Sequence, residues 1–266
     1  MRIGVIGSGD VGQTLAEGLK KHGYEVRIGS RSPQKLAEFS AQAGIQAGTF
    51  ADVAAWGEAI VLSVKGDAAE EAVRQAGVAN LRGKTVIDTT NPIAHDPPED
   101  GVLKFFTSPN DSLLERLQRA CPDAKFVKAF NSVGSDLMVN PSFPGGVRPT
   151  MFYCGDDGAA KAVVARILEE FGWEGADMGT AKAARAIEPL CVLWCIPGFR
   201  QNEWSNHAFH SSNGSDGFSR SHERPRRSRR FSCTRKNFVF FVDLRFFVMI
   251  RYSIIQRAAR PADRRV

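Results

Sequence analysis

Short apolar runs alternate with helix-period segments along most of the chain. Arg2–Gly7, Glu25–Gly29, Ala59–Val64, Thr85–Asp88, Phe126–Phe130 and Met151–Cys154 have the length and aliphatic density of strands buried on both faces. Between them, Asp10–His22, Pro33–Ala43, Ala68–Gln75 and Asp111–Ala120 carry apolar residues at helical spacing. A further helix is expected from about Ala159 to Phe171, capped by Asp156 or Asp157, and a short strand near Trp173–Met178. Ala181–Phe199, rich in Ala, Leu and Cys, reads as one mostly buried helix with no breaker before Pro197. This strand–helix rhythm predicts an α/β fold, a doubly wound and mainly parallel sheet with helices on both faces and a short C-terminal helical segment.

Beyond His210 the texture changes to Ser, Gly and Asn, then to an Arg-rich run (Arg224, Arg226, Arg227, Arg229, Arg230), then to Phe-rich sequence with neither period. Residues 211–266 hold fourteen Lys and Arg against four Asp and Glu, which leaves twenty-one against twenty-five for residues 1–210. The pI of 9.2 therefore belongs to the tail, and a basic nucleic-acid-binding body is not indicated. The tail is expected to be disordered or non-native, and any nucleic-acid contact is confined to it. The most apolar stretch, Phe238–Ile255, is interrupted by Asp243, Arg245 and Arg251, so no membrane span is expected. Five cysteines without a CxxC pair or zinc spacing suggest neither a disulfide framework nor a metal site. With the first strand starting at residue 2 and leaving no room for a leader, a cytoplasmic location is expected.

Gly7-Ser8-Gly9-Asp10-Val11-Gly12 matches G-x-G-x-x-G at the turn from the first strand into the first helix. In that context Gly7 permits the tight turn, Gly9 admits a pyrophosphate against backbone, and Gly12 lets helix and strand pack closely. The helix N-terminus offers unpaired N–H groups and the positive end of its dipole to the phosphates. The fold is thus of the Rossmann type. At the end of the second strand, where an NAD site places an acidic residue on the ribose 2′-hydroxyl, this chain has Ser30-Arg31-Ser32, with Lys35 one turn on. A guanidinium, two hydroxyls and an ammonium suit a 2′-phosphate, so NADP(H) is expected in preference to NAD(H).

These residues resemble a known family, the NADP oxidoreductases that use deazaflavin coenzyme F420 and their bacterial relatives. The resemblance rests on residues 1–12, on Ile28–Ser32, on Val86-Ile87-Asp88-Thr89-Thr90-Asn91-Pro92 and on Val127-Lys128-Ala129-Phe130-Asn131-Ser132-Val133-Gly134. It continues through Cys154–Asp157, Asp177-Met178-Gly179 and Ala184-Arg185-Ala186-Ile187-Glu188-Pro189-Leu190, covering nearly all of residues 1–209. The resemblance implies NADP phosphates at Ser8–Val11 and the 2′-phosphate at Ser30, Arg31 and Lys35. It implies the nicotinamide beside Val64, Lys65 and Gly66, near Asn91 and the loop Asn131–Ser135. Lys65-Gly66 departs from the Pro-plus-bulky pattern of archaeal members.

Hydride transfer between nicotinamide and deazaflavin needs two stacked rings and no protein acid or base, and no catalytic pair stands out in the sequence. His22, His95 and His207 read as structural or solvated. Lys65 is the candidate polar participant, and Leu190, Leu193 and Trp194 are candidates for an apolar wall to the second substrate. The organisation expected is a dinucleotide-binding domain over residues 1–180, a helical segment over the cleft at 181–210, and the tail. The implied activity is hydride transfer between NADP(H) and a small acceptor, coenzyme F420 foremost. Alternatives are a non-catalytic NADP(H) sensor and a reductase of a small carbonyl or imine, although relatives of the latter kind carry a larger helical C-terminal domain. A homodimer is compatible with either.

Overall fold

The computed structural model describes residues 1–211, and Met1–Ala208 form one compact unit. Apart from Ser211, the tail singled out in the sequence lies outside the described residues. The strands are β1 (Arg2–Ile6), β2 (Glu25–Gly29), β3 (Gln46–Gly48), β4 (Ala59–Leu62), β5 (Thr85–Asp88), β6 (Lys125–Lys128), β7 (Thr150–Gly155) and β8 (Glu174–Asp177). They form an eight-stranded sheet in the order β3-β2-β1-β4-β5-β6-β7-β8. The helices are α1 (Asp10–Lys21), α2 (Ala37–Ala43), α3 (Phe50–Trp56), α4 (Ala69–Ala76), α5 (Val78–Leu81), α6 (Leu113–Ala120), α7 (Gly158–Glu170), α8 (Ala184–Ile187) and α9 (Pro189–Gln201).

The doubly wound α/β fold read from the sequence is the fold observed. Strands β3 to β6 run parallel, each reached through a crossover, and Val5↔Ile28 and Val5↔Val61 fix β1 between β2 and β4. The chain winds outward in one direction through β2 and β3, then returns across β1 to β4 and beyond. That reversal opens a crevice at the carboxyl ends of β1 and β4, where ligands of this architecture bind. Strand β7 departs from the parallel pattern, pairing antiparallel with β6 through Val127↔Gly155 and Lys128↔Cys154. The connection, residues 129–149, contains only the 3₁₀ turns Ser135–Leu137 and Pro144–Gly146 and lacks the α-helix that usually makes a parallel crossover.

The core lies on both faces of the central strands. Ile3, Val5, Ile28, Ile60, Val61, Ile87 and Val127 are buried, consistent with the near-continuous apolar runs of a covered parallel sheet. Trp173 fills the space under β7 and donates its Nε1–H to the Met138 carbonyl at 2.9 Å, so its one polar atom is satisfied.

Several local readings are corrected. Pro33–Ala43 is a 3₁₀ turn, Pro33–Leu36, leading into α2, which stops at Gly44 with φ +60°. Strand β3 and helix α3 had no counterpart in the reading, although Thr49 and Asp52 form a reciprocal capping box before α3. The segment expected as one helix over Ala181–Phe199 is three pieces: a 3₁₀ turn Ala181–Ala183, then α8, then α9. Pro189 opens α9, and Pro197 lies within it. Asp157 caps α7 by accepting from Ala160 N–H at 2.8 Å, while Asp156 accepts from Ala181 N–H at 2.9 Å. No helix among the described residues is long and apolar enough to cross a membrane.

Helix α6 begins with a capping box in which Ser112 Oγ accepts from Glu115 N–H and donates to Glu115 Oε2 at 2.7 Å. Arg185 clamps the same carboxylate in a bidentate pair at 2.7 and 2.9 Å. The Arg185 hydrogen bond, opposed by burial and reinforced by Ser112, holds the Glu115 carboxyl below its ordinary 4.5. The stability this contributes is complete above that value and is lost as pH falls through the lower folded value. Ser112→Ala is expected to cost about 1 kcal/mol, lowering the melting temperature by about 2–4 °C in a unit of this size. Melting curves followed by circular dichroism should show that deficit narrowing below pH 4.5, as the carboxyl protonates in both proteins; a deficit independent of pH contradicts the assignment.

Candidate functional site

The crevice between the two halves of the sheet is a cavity of about 1000 Å³, at the upper end of the range for small-molecule sites. One end is formed by the glycine turn. Gly7 has φ +131°, and a Cβ there would lie 2.3 Å from the Ser63 carbonyl. Gly12 does not line the cavity; a Cβ on it would meet the Gly7 carbonyl at 2.2 Å, so its place is the helix–strand contact. At Gly9 a Cβ would meet nothing within 4 Å, and this open backbone faces the cavity together with Ser8, Asp10 and Val11.

No side-chain hydrogen bond caps α1. Helix α6 shows what a closed N-terminus looks like in the same chain. Its first two N–H groups, on Leu113 and Leu114, each reach a Glu188 oxygen at 3.0 Å, and Ser112 takes the third. The corresponding donors of α1, at Asp10, Val11 and Gly12, receive no such side chain. An anion is the natural complement of such an end. Asp10 is exposed, so its charge is screened by water while the backbone donors remain available.

Beside the glycine turn, the Ser30-Arg31-Ser32 turn and Lys35 line the same cavity. Ser30 is almost buried; its Oγ accepts from Ser32 N–H at 3.1 Å and from Ser8 Oγ–H at 3.3 Å, which ties the two turns together. Arg31 and Lys35 are exposed, and among the described residues neither has a carboxylate within ion-pair distance. No acidic residue stands at the end of β2, where Gly29 leads directly into Ser30.

The other end of the cavity is built by the loops after β4 and β5. Val64, Lys65 and Gly66 line it from one side, Thr89, Thr90 and Asn91 from the other. Gly66 is required by contact: a Cβ there would lie 1.9 Å from the Asn91 carbonyl. Asp67 and His95 bridge the two loops at 3.0 Å at the cavity's exposed edge.

Asn131 is not among the residues that line the cavity. It lies behind the wall, its Nδ2 donating to Asn91 Oδ1 and to the Ile187 carbonyl at 3.1 Å each, while Asn91 Nδ2 donates to the Asn131 carbonyl at 2.7 Å. The rest of the Asn131–Ser135 loop also stays off the cavity, because Gly134 packs against the Trp194 ring. No residue of 181–210 lines the cavity, so Leu190, Leu193 and Trp194 form no wall there. Leu193 is half exposed, and Trp194 stacks on His207 at 4.9 Å, with its Nε1–H on the His207 carbonyl.

Under the Thr89–Asn91 segment lies a group absent from the sequence reading. Lys128 is completely buried and contacts Asp88 Oδ2 at 2.6 Å, Glu188 Oε1 at 3.0 Å and the Thr90 carbonyl at 2.7 Å. Burial pulls the Lys128 pKa down, but Asp88 and Glu188 outweigh it and hold the ammonium above its ordinary value. Desolvation also pushes the nearby Cys154 thiol up to about 12, leaving it protonated and unreactive at neutral pH. The signal available in the sequence was a lysine inside an apolar strand, Phe126-Val127-Lys128-Ala129-Phe130, which must find partners once buried. Among the described residues, no His, Cys, Asp and Glu group is arranged to hold a metal ion.

Comparison with known proteins places this architecture. Residues 2–92 match the family described as NADP oxidoreductase, coenzyme F420-dependent. The fold is similar to the 1.70 Å crystal structure of a protein from Arthrobacter sp. FB24 given the provisional name F420-dependent NADP-reductase. The likeness has a TM-score of 0.73 and 35% identity over 79% of this chain and 98% of that one. The chain is also 30% identical over 203 residues to metalloreductase STEAP3 of Rattus norvegicus, covering 74% of this chain but only 38% of that protein. An imine reductase from Aspergillus terreus, at 18% identity and a TM-score of 0.54 over 72% of this chain and 59% of its own, shares the fold. With the glycine turn, the doubly wound sheet and a full-length structural relative in agreement, the chain belongs to the family of coenzyme F420-dependent NADP oxidoreductases.

Proposed function

We propose that the cavity binds NADP(H) and that the protein transfers hydride between it and a second small molecule, coenzyme F420 foremost. The observation that carries the reading is the pairing of an uncapped α1 N-terminus with two unpaired cations, Arg31 and Lys35, on one cavity wall. The first suits a pyrophosphate, the second a ribose 2′-phosphate, and the Ser8–Ser30 hydroxyl contact joins them. NADPH would supply hydride from its nicotinamide ring, and F420 would accept it on its deazaflavin.

The residues of the chain serve as holders and shapers. Ser8 to Val11 present backbone donors, Ser30, Arg31 and Lys35 take the 2′-phosphate, and Val64 to Gly66 with Asn91 border the nicotinamide end. Asn131 acts from behind, through Asn91. Lys65, with no carboxylate partner among the described residues, lines the cavity beside Val64 and Gly66. The F420 assignment is supported by the family and by the Arthrobacter relative. The metalloreductase name belongs to a protein of which this chain spans little more than a third, so metal reduction is not carried over.

Charge-assisted hydrogen bonds contribute about 1.5–3 kcal/mol each, which corresponds to roughly 10- to 150-fold in affinity. Arg31 is exposed, so Arg31→Ala is expected to weaken NADPH at the lower end of that range and NADH by less than about two-fold. Fluorescence titration of both nucleotides against the variant decides it, and equal losses would remove the 2′-phosphate assignment.

For the acceptor, NADPH and F420 mixed with the full chain should give NADPH-dependent loss of the deazaflavin absorbance band. Tight NADPH binding with no F420 turnover would point instead to a sensor. Turnover of a ferric chelate or a cyclic imine in place of F420 would replace the acceptor and leave the nucleotide assignment standing.

A further inference from the structure

We infer that Glu188, acting through Lys128, is a positioning residue for the nicotinamide end of the cavity. The inference rests on the NADP(H) reading above. Glu188 lies between α8 and α9, touches no cavity surface, and belongs to a motif, Ala186-Ile187-Glu188-Pro189, to which the nucleotide site assigns no role.

Its connections converge on one short segment. One carboxylate oxygen holds Lys128 Nζ, whose other contacts are Asp88 and the Thr90 carbonyl. Asp88 Oδ1 in turn accepts from Thr90 N–H at 2.9 Å and Thr90 Oγ–H at 2.7 Å. Every polar group of Thr90 is therefore fixed from inside the protein. The residue before Glu188 supplies the carbonyl that holds Asn131, and Asn131 holds Asn91. Thr90 and Asn91 face the cavity; the groups that set them do not.

Stability alone does not account for this construction. A buried ion group is often matched or surpassed in stability by apolar residues of similar volume, so its presence favours a role in fixing one arrangement. Two backbone details agree. Phe130, a buried aromatic residue, is held at φ +61°, a conformation that bulky side chains avoid. Glu188 keeps a helical backbone, φ −57° and ψ −45°, although a residue preceding proline disfavours it. Such departures persist where the surroundings over-determine a position, and both lie within one residue of the network they serve.

The test compares two ligands on the full-length protein: NADPH, and 2′-phospho-ADP-ribose, which carries the same phosphates and no nicotinamide. Glu188→Gln places an amide NH₂ against Lys128 or the α6 donors, leaving buried groups unsatisfied. It is expected to weaken NADPH about 10-fold while changing the fragment by less than about two-fold. The emission of bound NADPH should move back toward that of the free nucleotide. Arg185→Ala, which cuts a separate tie between α6 and α8, serves as the structural comparator and should change both ligands alike.

If Glu188→Gln does not fold, Glu188→Asp decides by the same ratio, with a smaller loss confined to NADPH. Equal losses for the two ligands, or no loss for NADPH, overturn the role of Glu188 and leave the nucleotide assignment intact. A wild-type protein that binds neither ligand overturns both.

Discussion

An ammonium group with no exposed surface constrains the C-terminal half of this fold. Lys128 Nζ donates to the Thr90 carbonyl and forms ion pairs with Asp88 and Glu188, which balance its charge. Removing such a charge from water costs several kcal/mol even after relaxation, and only near-complete pairing offsets it. With two carboxylates around one ammonium, the group carries an excess negative charge, and Glu188 directs it at the first N–H groups of α6. Strand ends β5 and β6, the start of α6 and the α8–α9 junction therefore hold one another in place.

The nucleotide end is organised by the opposite principle. Where α6 is closed by protein groups, α1 is left open at a cavity, flanked by cations that find no carboxylate among the described residues. One helix end is closed by protein groups, and the other is left open at the cavity. The switch in winding direction at β1 brings the open end to the crevice, and the Ser8–Ser30 contact ties the glycine turn to the Ser30-Arg31-Ser32 turn.

Much of this was legible in the sequence because it is local. A glycine motif between an apolar strand and a helix, and Ser30-Arg31-Ser32 after the next strand, place the open helix end and the cationic turn on one cavity through chain neighbours alone. Strand β3 escaped notice because three residues, Gln46-Ala47-Gly48, are too few to show a period. The C-terminal segment was misread as one helix because Pro189 is as much a helix starter as a breaker, and only tertiary context tells which. Asn131 was placed on the cavity by resemblance, yet it holds Asn91 from behind, and Leu190, Leu193 and Trp194 of α9 do not line the cavity. Lys128, Asp88 and Glu188 stood in quoted motifs without a role, since their meaning depends on partners 40 and 60 residues apart in the chain. A lysine in a strand pattern announces that partners exist without naming them.

The contact between Gly66 and the Asn91 carbonyl carries a mechanical consequence. With no side chain between them, the loops after β4 and β5 pack backbone against backbone, and neither can move toward the other without pushing it. Any larger residue at position 66 would wedge them apart and widen the mouth on both sides at once.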